Sequence, residues 1–292
     1  MNPHPRDALI EFDAGPHKYT CAGDGNYLSV TTWLHSHFPA FDADAIIKKM
    51  RLDKPTCKYY GQTPEQIKAG WDRGRDEAAA AGTAMHEAIE QYFVGVGGLL
   101  CLPPTAPLLE QVEAEGRTQW AEALDSSFPT PPPNTSAPCV RPSAGGGCGG
   151  QEPPNHFKKF ITDHPLLRCY RVEWMIFDED VHLAGSIDFV SENDDGSLTI
   201  YDWKRCKEIK KTNGFGGSAL TECISHLPDT NYWHYALQLN TYKTILERKY
   251  EKTIKAMFLV GLHPDWPTYQ VLKVPDLRQE MADLFTLRRA QL

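Results

Sequence analysis

Tyr201-Asp202-Trp203-Lys204 places an acid and an amine two residues apart in a stretch with strand character. On a strand such residues share a face, so Asp202 and Lys204 project together while Trp203 points the other way. Taken alone, the two could be an exposed ion pair worth under ~1 kcal/mol. The preceding strand candidate changes the weighing. Asp188 sits in Gly185-Ser186-Ile187-Asp188-Phe189-Val190, among residues that otherwise belong in a core. A carboxylate there is costly without a cation, a metal or dense hydrogen bonding. The neighbouring antiparallel strand offers Asp202 and Lys204. Two carboxylates meeting on a sheet repel unless a cation lies between them. Glu173, set among Val172, Trp174 and Ile176, supplies a third acid. Three acids and one lysine on one sheet suit Mg2+ or Mn2+, because hard divalent ions take oxygen ligands. Such an ion polarises a phosphate and makes a water acidic. Lys204 would then orient that water or offset developing negative charge.

Positive charge is concentrated just past this point. Lys204, Arg205, Lys207, Lys210 and Lys211 fall within one short stretch, opposed only by Glu208. The stretch is either a solvated strand end or a phosphate-facing stripe that includes Arg205 and Lys207. Two further motifs lie on helix candidates. Gly82 and His86 are four apart, as are Gln238 and Tyr242, so each pair shares a helical face. A lone helical histidine is more often a surface or core residue. A glutamine–tyrosine pair also fits an ordinary polar stripe.

The elements that must position these residues follow from periodicity. Residues 169–177, 182–191 and 197–204 have β-branched and aromatic runs bounded by the turns Asp178-Glu179-Asp180 and Asn193-Asp194-Asp195-Gly196. Such short connections predict an antiparallel three-stranded meander. A helix is expected over 231–249, strands over 255–262 and 268–274, and a last helix from about 276. Upstream, Tyr27 to Thr32 has strand character after a Gly23-to-Asn26 turn. Ser29 to Thr32 is either a phosphate-touching element or an ordinary strand. Helices are expected at 43–51, 64–72 and 73–93, the last ended by Gly95, Gly97 and Gly98. Residues 106–125 and 155–163 are also helix candidates. About half of residues 129–155 are Pro or Gly, which predicts a disordered insertion within one domain spanning 1–292. Gly214 to Ser218 is glycine-rich but lacks the Lys-Ser/Thr of a phosphate-binding loop, and it is expected to be mobile.

Gly185-x-x-Asp188, thirteen intervening residues and Asp202-x-Lys204 together resemble the PD-(D/E)XK nuclease signature. Ile187 stands where that signature has proline, a departure common in the RecB-like branch, whose pattern is closer to G-x-x-D. Gly82 to His86 is similar to that branch's G-x-x-x-H helix. Gln238 to Tyr242 is similar to its Q-x-x-x-Y motif. The resemblance spans about 73–93 and 168–262, and extends to RecB-type exonuclease domains and the mitochondrial genome maintenance exonucleases. It implies an α/β (mixed α+β) restriction-endonuclease-like core: a central mixed β-sheet flanked by helices, with additional N-terminal helices. It passes metal-ligand roles to His86, Asp188 and Asp202, with Glu173 on the strand before, and the catalytic lysine role to Lys204. Gln238 and Tyr242 inherit a substrate-side role. The implied activity is a DNA exonuclease on single strands or exposed ends, in replication, recombination or repair.

Composition sets bounds on this expectation. The chain has 292 residues, a net charge of −8 and 41 % apolar residues. That charge argues against affinity from a broad basic surface and suits a carboxylate site with locally held cations. The eight cysteines contain no CxxC pair, which argues against a zinc ribbon. They also lack the spacing of the iron–sulfur cluster some RecB-like nucleases carry, so no such cluster is expected. No apolar run approaches the ~18–20 residues that span a bilayer, so no membrane partner is expected. The first residues lack a secretory pattern, which predicts an intracellular protein without distinguishing nucleus, mitochondrion or cytoplasm. No helicase or ATPase motif is present, so any unwinding falls to a helicase or repair partner. Two other readings remain. A catalytically inactive nucleic-acid-binding subunit would bind metal without turnover. An interaction protein working through 129–155 would lose its function when that stretch is deleted.

Overall fold

Aromatic and β-branched residues at alternate positions build the centre of a six-stranded sheet. The computed structural model describes residues 2–100, 152–214 and 216–292. In chain order the elements are β1 (Ile10–Asp13), β2 (Lys18–Cys21), β3 (Leu28–Ser29), α1 (Val30–His35), α2 (Ala43–Lys49) and α3 (Pro64–Leu100). Then come α4 (Asn155–Asp163), β4 (Arg168–Asp178), β5 (Leu183–Glu192), β6 (Leu198–Lys204), α5 (Asn231–Lys249), β7 (Ile254–Gly261), β8 (Gln270–Lys273) and α6 (Arg278–Arg289). The helix candidate at 106–125 and nearly all of the 129–155 insertion lie outside the described residues.

β4, β5 and β6 form the expected antiparallel meander. Gly196, at φ +77°, turns the chain into β6, a backbone position that favours glycine. β6 and β7 are parallel, and α5 makes the crossover between them. β7 and β8 are antiparallel, and β3 adds a short parallel strand to β5. The sheet is therefore mixed. α1, α5 and α6 cover one face through Trp33, Leu237, Leu246, Leu284 and Phe285, against Ile176, Ile200 and Leu259. α3 and α4 cover the other through Met85, Ile89, Phe93, Phe157 and Phe160, against Phe189, Tyr201 and Trp203. Among the described residues, no helix is long and apolar enough to cross a membrane.

Two helix boundaries differ from expectation. Tyr27 to Thr32 is a strand only at Leu28–Ser29. The Ser29 hydroxyl accepts the Thr32 N–H at 3.1 Å and caps α1, so side-chain capping overrides the β-branched run. The expected helices at 64–72 and 73–93 are one helix, which continues through Gly95, Gly97 and Gly98 to Leu100. Glycine costs a helix about 1 kcal/mol relative to alanine but does not forbid it.

The N-terminus is fastened to β4. Arg171 donates to Asp7 Oδ2 at 2.6 Å, and Trp174 Nε1 donates to Asp7 Oδ1 at 3.2 Å. Arg6 Nη2 lies 2.6 Å from Glu179 Oε2. Burial would raise the Glu179 carboxyl, but hydrogen bonds from Arg6, its own backbone and Lys249, with the Arg6 charge, together outweigh it and bring it from 4.5 down to about 2. The pair's contribution is therefore complete above pH 4.5 and is lost as pH falls toward 2. Glu179 is 47 % exposed, so screening holds that contribution to about 1 kcal/mol or less. Glu179→Gln is expected to lower the thermal midpoint at pH 7 and to match the parent near the acid end. An equal deficit at both pH values would contradict this.

Candidate metal centre

β5 has two edges with different partners. β4 runs the length of one edge. On the other, β3 pairs with Leu183 and Ala184, and β6 pairs with Phe189 to Glu192. Residues 185–188 between them have no ladder partner on that edge. Side-chain alternation also breaks here. Ile187 packs into the α5-side core, whereas Phe189 packs into the α3-side core. β4 breaks at the facing position, with Val172 on the α3 side and Trp174 on the α5 side. The breaks coincide because Val172 pairs with Phe189 and Trp174 with Ile187. Glu173 lies at the reversal with φ +42°. A non-glycine residue in that region costs about 1–3 kcal/mol, and such strain collects at functional sites.

α3 brings His86 to this gap from one layer. Its Nδ1 is 3.8 Å from Glu173 Oε1 and 3.7 Å from Asp188 Oδ2. Its Nε2 is 3.1 Å from the Trp203 carbonyl oxygen. A carbonyl only accepts, so Nε2 carries the proton, and Nδ1 faces the two acids. Asp188 Oδ2 accepts the Trp203 N–H at 2.8 Å, replacing the ladder bond lost where β6 leaves β5. Ser186 Oγ donates to Glu173 Oε2 at 3.1 Å. One ligand atom from each of His86, Glu173 and Asp188 lies within 4.8 Å of the others.

The electrostatics call for a cation. Burial drives the Asp188 carboxyl upward and Glu173 adds to it, against pulls from His86 and Lys204. Burial would depress the His86 imidazole, but Asp188 and Glu173 reverse that and push it up to about 9. A divalent ion in the gap would neutralise the same two carboxylates. Two carboxylates and an imidazole nitrogen are a fitting donor set for such an ion, with no preference between Mg2+ and Mn2+.

Asp202 and Lys204 reach the gap from the α5 side, with Trp203 turned into the opposite core. Asp202 lies outside the trio. Its Oδ2 is 2.6 Å from Lys204 Nζ, and the ammonium sits 4.5 Å from the Tyr235 ring centroid. Burial raises the Asp202 carboxyl to about 6, with Lys204 opposing and Asp188 adding. Burial would depress the Lys204 ammonium, but Asp202 and Asp188 overcome it, so Lys204 stays protonated. It can donate hydrogen bonds and positive charge but cannot act as a base at neutral pH.

Gln238 Nε2 donates to the Tyr242 hydroxyl at 3.0 Å. Tyr242 is packed over Gly185: a Cβ there would come within 2.7 Å of the ring. Gly185 therefore has a packing reason to be glycine, and the two motifs that carry Gly185 and Tyr242 are in contact. Gly185→Ala is expected to cost roughly 1–3 kcal/mol by overpacking, seen as a thermal midpoint roughly 3–10 °C lower. Tyr242→Leu should recover part of that loss in a double-mutant cycle. A Gly185→Ala protein as stable as the parent would refute the contact.

Arg205 is half-buried and Lys207 exposed just past Lys204. Among the described residues neither has a carboxylate partner. Two features escaped sequence reading. Ser186 holds Glu173, and Tyr235 underlies Lys204; the spacing of Tyr235 three residues before Gln238 is the signal that could have marked it. A cavity of about 460 Å3 between α5, β7 and β8, lined by residues such as Lys243, Lys273 and Asp276, contains none of these groups.

Residues 56–289 match the family model described as the PD-(D/E)XK nuclease superfamily. No curated protein sequence is matched. Among solved structures, one titled "Crystal structure of SSO0001" is 12 % identical over 72 % of this chain and 71 % of that chain, with a TM-score of 0.25. So loose a superposition carries no argument about function. The family match covers the meander, α5 and the whole gap between β5 and β6, and on that ground the chain belongs to the PD-(D/E)XK nuclease superfamily.

Proposed function

We propose that this nuclease is a DNA exonuclease of the RecB-like branch, similar to the mitochondrial genome maintenance exonucleases, acting on single strands or exposed ends. The convergence of His86, Glu173 and Asp188 within 4.8 Å carries the reading. The order of the four motifs, from Gly82-to-His86 through Gln238-to-Tyr242, supports the branch. A role in replication, recombination or repair follows from that likeness, with a helicase or repair partner supplying unwound ends.

His86, Glu173 and Asp188 are the proposed ligands of Mg2+ or Mn2+, with Asp202 adjoining. A divalent ion there would supply charge neutralisation at a phosphate. The chain's own groups do the rest. The Trp203 carbonyl fixes the His86 ring, and the Trp203 N–H fixes Asp188. Asp202 holds Lys204 as an ammonium within electrostatic reach of Asp188. Lys204 orients the attacking water or offsets charge on the phosphate oxygens as the P–O bond breaks. Arg205, Lys207, Gln238 and Tyr242 are the proposed substrate-side groups.

The test is cleavage of end-labelled single- and double-stranded DNA, with free and blocked ends, with and without Mg2+ or Mn2+. Metal-dependent loss of label from free single-stranded ends is expected. Cutting at internal sites with blocked ends would reject the exonuclease reading.

A further inference from the structure

Between residues 41 and 71 the chain displays aromatic rings that no core claims. Phe41 is 72 % exposed and Tyr60 54 %. Phe41 meets Trp71 edge-on with centroids 5.7 Å apart, and Tyr59 meets Trp71 edge-on at 6.0 Å. Trp71 Nε1 donates to the Tyr59 hydroxyl at 2.9 Å, which fixes the indole. None of the four rings belongs to the hydrophobic clusters of the fold. An aromatic ring buries roughly 150–250 Å² when a fold uses it for packing, so leaving Phe41 and Tyr60 in water forgoes that stabilisation.

The charge around them has the opposite sign to the chain. Residues 41–71 hold Lys48, Lys49, Arg51, Lys54, Lys58 and Lys68 against Asp42, Asp44, Asp53 and Glu65, six positive minus four negative, in a chain of net charge −8. Among the described residues Lys48, Lys49 and Lys54 have no carboxylate partner. Lys58 Nζ lies 5.3 Å from the Tyr59 ring centroid. Aromatic faces interleaved with free cations match the chemistry of an unpaired nucleic-acid strand, whose bases stack and whose phosphates pair with lysine. A duplex hides those base faces. Protein interfaces also use exposed rings, but they deplete lysine, and five of the six cations here are lysines. The platform is also connected to the site. α2 is tied to α3 by Lys68 and Asp44 at 2.5 Å. Trp71 and His86 lie on the same helix, 15 residues or about 22 Å apart along its axis.

We propose that Phe41, Tyr60 and Trp71 form a base-stacking platform for single-stranded nucleic acid, with Lys48, Lys49, Lys54 and Lys58 along its phosphates. The inference rests on the nuclease reading for its choice of ligand. It is tested by fluorescence anisotropy of the full chain in EDTA, with a labelled oligothymidylate and an abasic strand of equal length. Phe41→Ala and Tyr60→Ala, both at exposed positions, are each expected to weaken oligothymidylate binding by roughly five- to thirty-fold. The abasic strand is expected to bind the parent more weakly and to be insensitive to either variant. Variants that bind oligothymidylate like the parent would overturn the platform, as would equal losses on the abasic strand. The readout needs no cleavage. A chain that cuts DNA normally while its variants bind like the parent loses the platform alone, and one that shows the base-dependent losses without cutting loses the nuclease reading alone.

Discussion

Lys204→Ala is expected to lower cleavage by about 10²–10³-fold, the usual cost of removing one preorganised donor at a developing charge. The structure complicates the reading of that loss. Lys204 pairs with Asp202, which is 2 % exposed, at 2.6 Å. Removing the lysine strands a buried carboxylate, and breaking such a pair costs about 3–5 kcal/mol where the carboxylate stays charged. Asp202 titrates near 6 even with its partner present, so part of that cost is avoided by taking up a proton. A lost activity could then reflect a weakened fold. The double variant Asp202→Asn with Lys204→Met removes both charges and leaves no orphan. It is expected to keep a thermal midpoint close to the parent's and to cut no better than Lys204→Ala. If the double variant cleaves like the parent, neither residue works in the reaction. If Lys204→Ala keeps full activity, the role assigned to the ammonium is wrong.

The meander was legible because its signals are local. The apolar run from Tyr170 to Phe177 and the Asn193-to-Gly196 turn mark the strands and their antiparallel pairing without reference to the rest of the chain. Helix 231–249 was equally plain from its periodicity, and it emerges as Asn231–Lys249. The shared face of Asp202 and Lys204 follows from the two-residue repeat alone. The geometry around Asp188 does not. Period-two reasoning puts Ile187 and Phe189 on one side, yet they enter opposite cores, because the strand turns over at Asp188. Glu173 in the left-handed region is the matching reversal on β4, and propensity gives no hint of a positive φ at a glutamate. His86 was found only through resemblance. Its approach depends on α3 crossing the sheet so that one ring nitrogen meets the Trp203 carbonyl, a contact 117 residues away in sequence. Ser29 shows the limit at short range: one hydroxyl turned a strand-like run into a helix start.

Asp188→Asn separates the metal from the fold, and the sign of its effect is the informative part. The folded Asp188 carboxyl is raised above its ordinary 3.8 by burial and by Glu173. A raised acid binds protons more tightly folded than unfolded, so the metal-free parent loses stability as pH rises from 3.8 through the folded value. At neutral pH the ionised carboxylate is therefore a cost. Asparagine keeps an oxygen for the Trp203 N–H and removes the charge. Without metal, the variant is expected to melt at or above the parent's temperature. With metal the order reverses. Binding at about a hundredfold over Kd adds about 2.7 kcal/mol to the parent, a rise of roughly 5 °C or more. The variant, short of one ligand, should gain little, and its cleavage should fall at least 10²-fold, roughly as for loss of a main charge-stabilising group. Glu173→Gln should likewise gain little from metal and lose cleavage, because it removes another of the three candidate ligands. A parent whose midpoint ignores millimolar Mg2+ and Mn2+ would remove the ion from this site. A variant that responds to metal as the parent does would move the ion elsewhere on the chain, and the acid pair would then need another reason to face itself.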